Sequence, residues 1–486
     1  MRKMNAAIVF SLVALLLCTS CGQNVSNATN KSTEKILDPE NPVKITIWHY
    51  YSGKQQEAFN NMIDKFNETK GMKMGIEVDA SGYGTVGDVE DSVQAAIEGN
   101  VEAKELPNIF AAYSDTAYNF DKLGKVVNLS QYLSSKEQKE YIDSYIKEGC
   151  FNSKNELKLF PIAKSTEIFM LNKTDWNKFE LATGASVKDC STIEGLTRTA
   201  KAYYEWTDSL TPELNDGKAF YGRDAMANYM IIGFKQLGHE IISIKNNEET
   251  LDFDKETAKK LWDNYYVPFI SGYFSSSGRF RSDDVKTGNI IAFTGSSAGA
   301  TFFPNKVILS DSVYYPIEMS VYESPQFENG ESYAVQQGAG MVVVKSSEKE
   351  EVASVEFLKW FTGVSNNTSF AINSAYLPVK KEANTMESMR KNVENVDENV
   401  KNVIEMSVNT VNDNILYAPP AFAGGTKVRD ILEFAMSDKA VTDRAAVVNN
   451  LQLGMTLEEA VIAVNTETNF EDWYNTTKDT IEGIIK

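Results

Sequence analysis

The sequence predicts an α/β fold built on a mostly parallel sheet with both faces covered. Strand-like and helix-like stretches alternate through the N-terminal part of the chain, and the strand-like runs are short and apolar. Strands joined by helical crossovers pair in parallel, and the helices then cover both sheet faces. The stretch Leu157 to Lys173 (LKLFPIAKSTEIFMLNK) adds a third observation. Its apolar runs at Leu157, Leu159 and Phe160 and at Ile168 to Leu171 flank a polar break, Lys164-Ser165-Thr166-Glu167. Short apolar runs bounded by turn residues read as buried strands, here a pair that presents polar side chains at a sheet mouth.

In chain order, Val43 to Trp48 (VKITIW) alternates and reads as the first strand, followed by His49-Tyr50-Tyr51-Ser52-Gly53. Gln55 to Phe66 has helical spacing, with Phe59, Met62, Ile63 and Phe66 on one face. Met74 to Val78 is a second strand, running into Ala80-Ser81-Gly82-Tyr83-Gly84, and Val89 to Gly99 is helical. Leu106 to Phe110 opens a third strand that ends at Tyr113-Ser114-Asp115. Right-handed crossovers bring the three strand-end loops to one edge, which is where open α/β sheets hold ligands. Farther on, Glu194 to Trp206, Ala219 to Gly238 and Thr257 to Tyr266 read as helices and Gly288 to Phe293 as a strand. Gln337 to Val344 is a Gly-rich strand, Glu348 to Phe361 an amphipathic helix, and another helix starts near Thr426.

The 486 residues suffice for two or more domains. The net charge of −19 argues against a nucleic-acid partner, whose phosphates need a basic surface. Residues 1–20 read as an export signal: Arg2 and Lys3 precede an apolar run, Ala6 to Leu17, too short to span a bilayer. Thr19-Ser20-Cys21-Gly22 resembles a bacterial lipoprotein box, with Cys18 where Leu is usual; the resemblance implies lipidation at Cys21. A diacylated cysteine anchors stably to a membrane. Residues 21–42 then read as a flexible Asn/Ser/Thr-rich tether. Cys150 and Cys190 either pair or remain separate buried thiols. With only His49 and His239 and no Cys or His cluster, neither a metal nor another cofactor is expected.

Several stretches resemble the extracellular solute-binding proteins of family 1, the sugar-type lipoproteins of ABC importers. LFPIAKSTEIFMLNK is similar to the family's segment ending in Asn-Lys, ITIWHYYSG to its first strand and ligand-facing loop, and LPNIFAAYSD to its third strand. Residues 288–300, QGAGMVVV, Asn373 to Val379 and Tyr417 to Phe422 follow in matching order. The resemblance implies a two-lobed periplasmic-binding-protein-like (type II) fold with a hinge and an interlobe cleft. It gives lobe 1 as 43–113 plus 339–392 and lobe 2 as 114–338 plus 393–486. It also implies a non-enzymatic, monomeric receptor at the cell surface or periplasmic face, membrane-anchored, that hands a small carbohydrate to permease subunits.

Sugar sites combine aromatic platforms with hydrogen-bonding side chains. The strand-end candidates are His49, Tyr50, Tyr51, Tyr83, Tyr113, Ser114 and Asp115, the last either a hydroxyl acceptor or a helix cap. The resemblance adds Ser165, Glu167 and Tyr376, and Phe302 and Phe422 are further aromatic candidates. Gly295-Ser296-Ser297-Ala298-Gly299 stands where maltose-type relatives carry a Trp. Its hydroxyls and backbone amides suit an anion as well, and Arg429 stands where glycerol-3-phosphate binders carry a late Arg. Ser296, Ser297 and Arg429 therefore leave a phosphorylated polyol open as the alternative ligand. An exported glycoside hydrolase, needing paired carboxylates, and a surface adhesin or sensor are the other function classes.

Overall fold

The computed structural model describes residues 36–100, 104–152, 154–246, 248–390 and 398–486. The export signal, Cys21 and most of the expected tether lie outside the described residues. The opening alternation folds as β1 (Val43–His49), α1 (Gly53–Phe66), β2 (Ile76–Gly82), α2 (Val86–Glu98), β3 (Ile109–Ala112) and α3 (Ser114–Lys122). Thr85 starts α2 with a capping box, its hydroxyl accepting from Asp88 N while the Asp88 carboxylate accepts from Thr85 N. Next come α4 (Asp143–Glu148), β4 (Glu167–Asn172), β5 (Tyr221–Arg223), α5 (Met226–Gln236), β6 (Ala292–Ser296), β7 (Met319–Glu323) and β8 (Tyr333–Val335). β9 (Gly340–Val343), α6 (Glu348–Phe361), α7 (Glu398–Asp413), β10 (Ile415–Tyr417) and α8 (Gly425–Gln452) complete the elements that shape the site.

Two four-stranded sheets organise two lobes. The first has the order β9-β3-β1-β2, parallel except for β9. In β3, Ile109 and Ala111 enter one core cluster while Phe110 and Ala112 enter another, so both faces are covered, as an all-apolar strand requires. The second sheet has the order β7-β4-β6-β5 and is largely antiparallel. β4 divides in the same way, Phe169 and Leu171 facing one cluster and Ile168 and Met170 the other.

Four sequence expectations change. Val127, Leu129, Tyr141, Phe160 and Ala163 pack in the same core as Ile45 and Phe59, so the first lobe runs on well past residue 114. Leu157 to Phe160 forms no full strand but only an isolated bridge, Phe160 to Met341, so of the expected pair of strands only β4 forms. Within 219–238 the chain first makes β5, because Tyr221 to Arg223 pairs with β6, and turns helical only at Met226. The strand expected at 288–293 lies at 292–296.

The polar break at 164–167 is instead a crossing between lobes. Ser165 and Gln337, on the return crossing, exchange both backbone hydrogen bonds at 3.0 and 2.9 Å. Lys164 does the same with Leu377, where the chain leaves the first lobe again, at 3.0 and 2.6 Å. The Lys164 ammonium is buried and donates to Glu148 Oε2 at 2.6 Å and to the Gly338 carbonyl at 2.7 Å. Gly338 has φ +94°, and a Cβ there would lie 2.8 Å from the Ala163 carbonyl oxygen, so glycine is required where the crossings touch. Removing one partner of a buried ion pair costs about 3–5 kcal/mol. Urea denaturation of Lys164→Met should therefore show an unfolding free energy lower by that amount.

Candidate functional site

Facing loops of the two sheets enclose a cavity of about 190 Å³. On the first-lobe side, β1 and β3 run parallel and end together, which brings Tyr50 beside Tyr113, Ser114 and Asp115. Glu148 of α4 and Tyr376 complete that wall, and the Tyr376 hydroxyl donates to the Tyr50 hydroxyl at 3.1 Å. The crossings form the floor: Ser165 from the first, Gln336, Gln337 and Gly338 from the second. The Ser296 hydroxyl donates to that of Ser165 at 3.1 Å. The opposite wall is Asn228 and Ile231 of α5, the turn Tyr417-Ala418-Pro419-Pro420, Phe422, and Val428, Arg429 and Leu432 of α8. Both walls are apolar with polar groups set into them, the composition of sites that orient a small ligand by a few hydrogen bonds.

The polar groups are held from behind. An Arg429 guanidinium N–H donates to Asn228 Oδ1 at 3.0 Å, and Asn228 Nδ2 donates to Glu167 Oε1 at 2.9 Å. Glu167 also closes a short ion pair with buried Arg223. On the other side Glu148 accepts from Lys164 and from Gln336 Nε2. Burial raises the Asp115 carboxyl to about 6, against the hydrogen bond from Phe422 N and the charge of Arg429.

A family model for the bacterial extracellular solute-binding proteins matches residues 61–396. The chain belongs to that family. Among solved structures it is similar to the cyclic alpha-maltosyl-1,6-maltose binding protein from Arthrobacter globiformis, at 17% identity, covering 90% of this chain and 99% of that one, TM-score 0.64. It is also similar to Lmo0181 from Listeria monocytogenes in complex with cycloalternan, at 16% identity, coverage 91% and 100%, TM-score 0.64. UgpB from Mycobacterium tuberculosis in complex with glycerophosphocholine matches at 16% identity, coverage 90% and 99%, TM-score 0.63. At these identities the likeness establishes a shared two-lobed fold. No curated protein sequence matches the chain. None of the described helices is long and apolar enough to cross a membrane.

This solute-binding protein gathers Tyr50, Tyr113, Ser114, Asp115, Ser165, Ser296, Tyr376, Phe422 and Arg429 around the cavity. The other sequence candidates stand elsewhere. His49 and Tyr51 lie in the core against Phe59, on the face of β1 that α1 covers. Burial pulls the His49 imidazole down to about 4, and its Nδ1 accepts from Tyr51 N at 3.2 Å. Tyr83 packs on Trp48, ring centroids 5.0 Å apart, because β2 is the sheet's edge and ends away from the cavity. Glu167 stands behind the wall in its ion pair, and Ser297 is buried against Thr166, whose N–H it accepts at 3.4 Å. Phe302 is half exposed beside Gly53 at the start of α1.

The sequence reading missed Glu148, Asn228, Gln336 and Gln337. The last two sit one and two residues before Gly338, and that Gln-Gln-Gly run beside a Gly-rich strand was the available signal. Asn228 sits in the first turn of α5, inside a stretch that reads as one long helix, and carried none. Replacing Asn228 by Leu leaves Glu167 Oε1 and the Arg429 guanidinium without their shared partner. An unsatisfied buried group costs about 1–3 kcal/mol, and chemical denaturation of Asn228→Leu should show a loss of that size.

Proposed function

We propose that the chain is the solute receptor of an ABC importer, anchored through lipidated Cys21. It acts as a monomer and binds a neutral mono- or oligosaccharide between its lobes for delivery to the permease. The make-up of the cavity wall carries this reading. Tyr50, Tyr113, Tyr376, Tyr417 and Phe422 line the cavity with aromatic rings, and Ser114, Ser165, Asn228, Gln336 and Gln337 line it with hydrogen-bonding groups. A sugar presents a weakly apolar ring face edged by hydroxyls and is matched by that mixture. Charge also leans toward a neutral ligand: Glu148 is already paired with Lys164, and the Asp115 carboxylate lines the same cavity as Arg429, so a phosphate would meet one like charge beside the arginine and no net positive field. The names of the Arthrobacter and Listeria proteins point to cyclic sugars as their ligands.

The second reading is glycerol-3-phosphate or another phosphorylated polyol. Arg429 in the wall, able to hold phosphate bidentately, and the likeness to UgpB favour it.

Thermal unfolding of residues 22–486 against a panel of sugars, oligosaccharides and glycerol phosphates separates the two. A ligand at 100 times its dissociation constant should stabilise the fold by about 2.7 kcal/mol. The expected result is a shift with a neutral saccharide that is recovered intact, and at most a weakened shift in Arg429→Ala. A shift confined to phosphorylated compounds and abolished in Arg429→Ala moves the assignment to the second reading. A cleaved ligand makes the chain a hydrolase.

A further inference from the structure

Asp115 is the second residue of α3, yet its carboxylate does not cap that helix, whose N-cap is Tyr113 with no side-chain bond. It reaches to the other lobe instead. Asp115 Oδ1 accepts from Phe422 N at 3.1 Å, just before α8. A Cβ on Gly425, the first residue of α8, would lie 2.0, 2.2 and 2.5 Å from the Asp115 carboxyl atoms, so the carboxylate rests directly on the helix start. Four residues along α3, Asn119 Nδ2 donates to the Ala423 carbonyl at 3.5 Å. A helix N-terminus carries partial positive charge, which offsets part of the cost of burying a carboxylate there. The second lobe uses the same device internally, where Glu433 accepts from Met226 N and Ala227 N at the start of α5, at 3.2 and 2.8 Å.

We infer that Asp115 and the start of α8 form a latch that holds the lobes together, and that residue 425 is glycine so that the latch can engage. The inference rests on the reading of the chain as a receptor whose lobes part to admit solute. Three charged groups face Asp115: Arg429 on α8, Glu90 on α2 and Glu148 on α4, the arginine favouring the ionised form and the two glutamates opposing it. Burial outweighs these, so the latched carboxyl titrates near 6, whereas an aspartate freed to solvent titrates near about 3.9. The latched state therefore holds a proton more tightly than the parted state. Closure is favoured as pH falls through 6 and loses that support above it, a change of about tenfold in the closed-to-open ratio between pH 7.5 and pH 5.

Small-angle scattering of ligand-free residues 22–486, which contain every described residue, tests the latch at the two pH values. The wild type should be more closed at pH 5, Asp115→Asn should lose the dependence on pH, and Gly425→Ala should be open at both. The three nearest atoms to a methyl at 425 all belong to Asp115, so parting the lobes removes the closest conflicts of alanine there. If Gly425→Ala does not fold, Asp115→Ala takes its place in the same comparison. Wild type and latch variant giving one scattering profile at both pH values overturns the inference. The receptor reading fails separately, when no sugar or phosphate raises the wild-type melting temperature, since the scattering needs no ligand.

Discussion

The arrangement of the lobes depends on Lys164. Its backbone pairs with Leu377 and its ammonium reaches Gly338 and Glu148, so one residue ties the first crossing to the second, to the exit from the first lobe and to α4. A buried ammonium is costly unless paired and hydrogen-bonded, and here every bond that satisfies it is also a bond between segments that must keep their register. Hinges are a few element-terminal residues that absorb a change of angle. Around Lys164 the crossings are tied only by short pairs such as Ser165 with Gln337, whereas each sheet on either side is four strands wide.

The cavity follows from that floor. Because β1 and β3 end at the same edge and β4 and β6 meet the crossings at theirs, Tyr50 and Tyr113 line one cavity with Ser165 of the crossing and Ser296 of the second sheet. The charged side chains are then placed from behind rather than by the ligand: Arg223 fixes Glu167, Glu167 fixes Asn228, and Asn228 orients Arg429. Such pre-positioning lowers the ordering cost of binding. It also explains why a carboxylate read from sequence as a contact, Glu167, supports the wall instead.

How much was legible in the sequence follows from the range of the forces involved. The first three strands and their helices were readable, because alternation and helical spacing are local, and α6 was read residue for residue. The family order of motifs pointed to the lobes, and strand-end logic found Tyr50, Tyr113 and Asp115. The misses are non-local. His49 and Trp48 both look able to face a cleft, but a sheet covered on two sides buries both. Tyr83 follows a strand like the others, yet β2 lies at the edge, a fact set by pairing order. The first lobe extends past residue 114 because Val127 to Ala163 pack on it through contacts no window of sequence contains. Gln336 and Asn228 matter only through partners far along the chain.

One last feature bears on what holds each lobe in its shape. Cys150 and Cys190 are free thiols in separate cores, one packed against each lobe's interior. Among the described residues no disulfide staples either lobe or joins one to the other. Within the described residues the packing of the two cores, and not a covalent cross-link, holds each lobe in its shape.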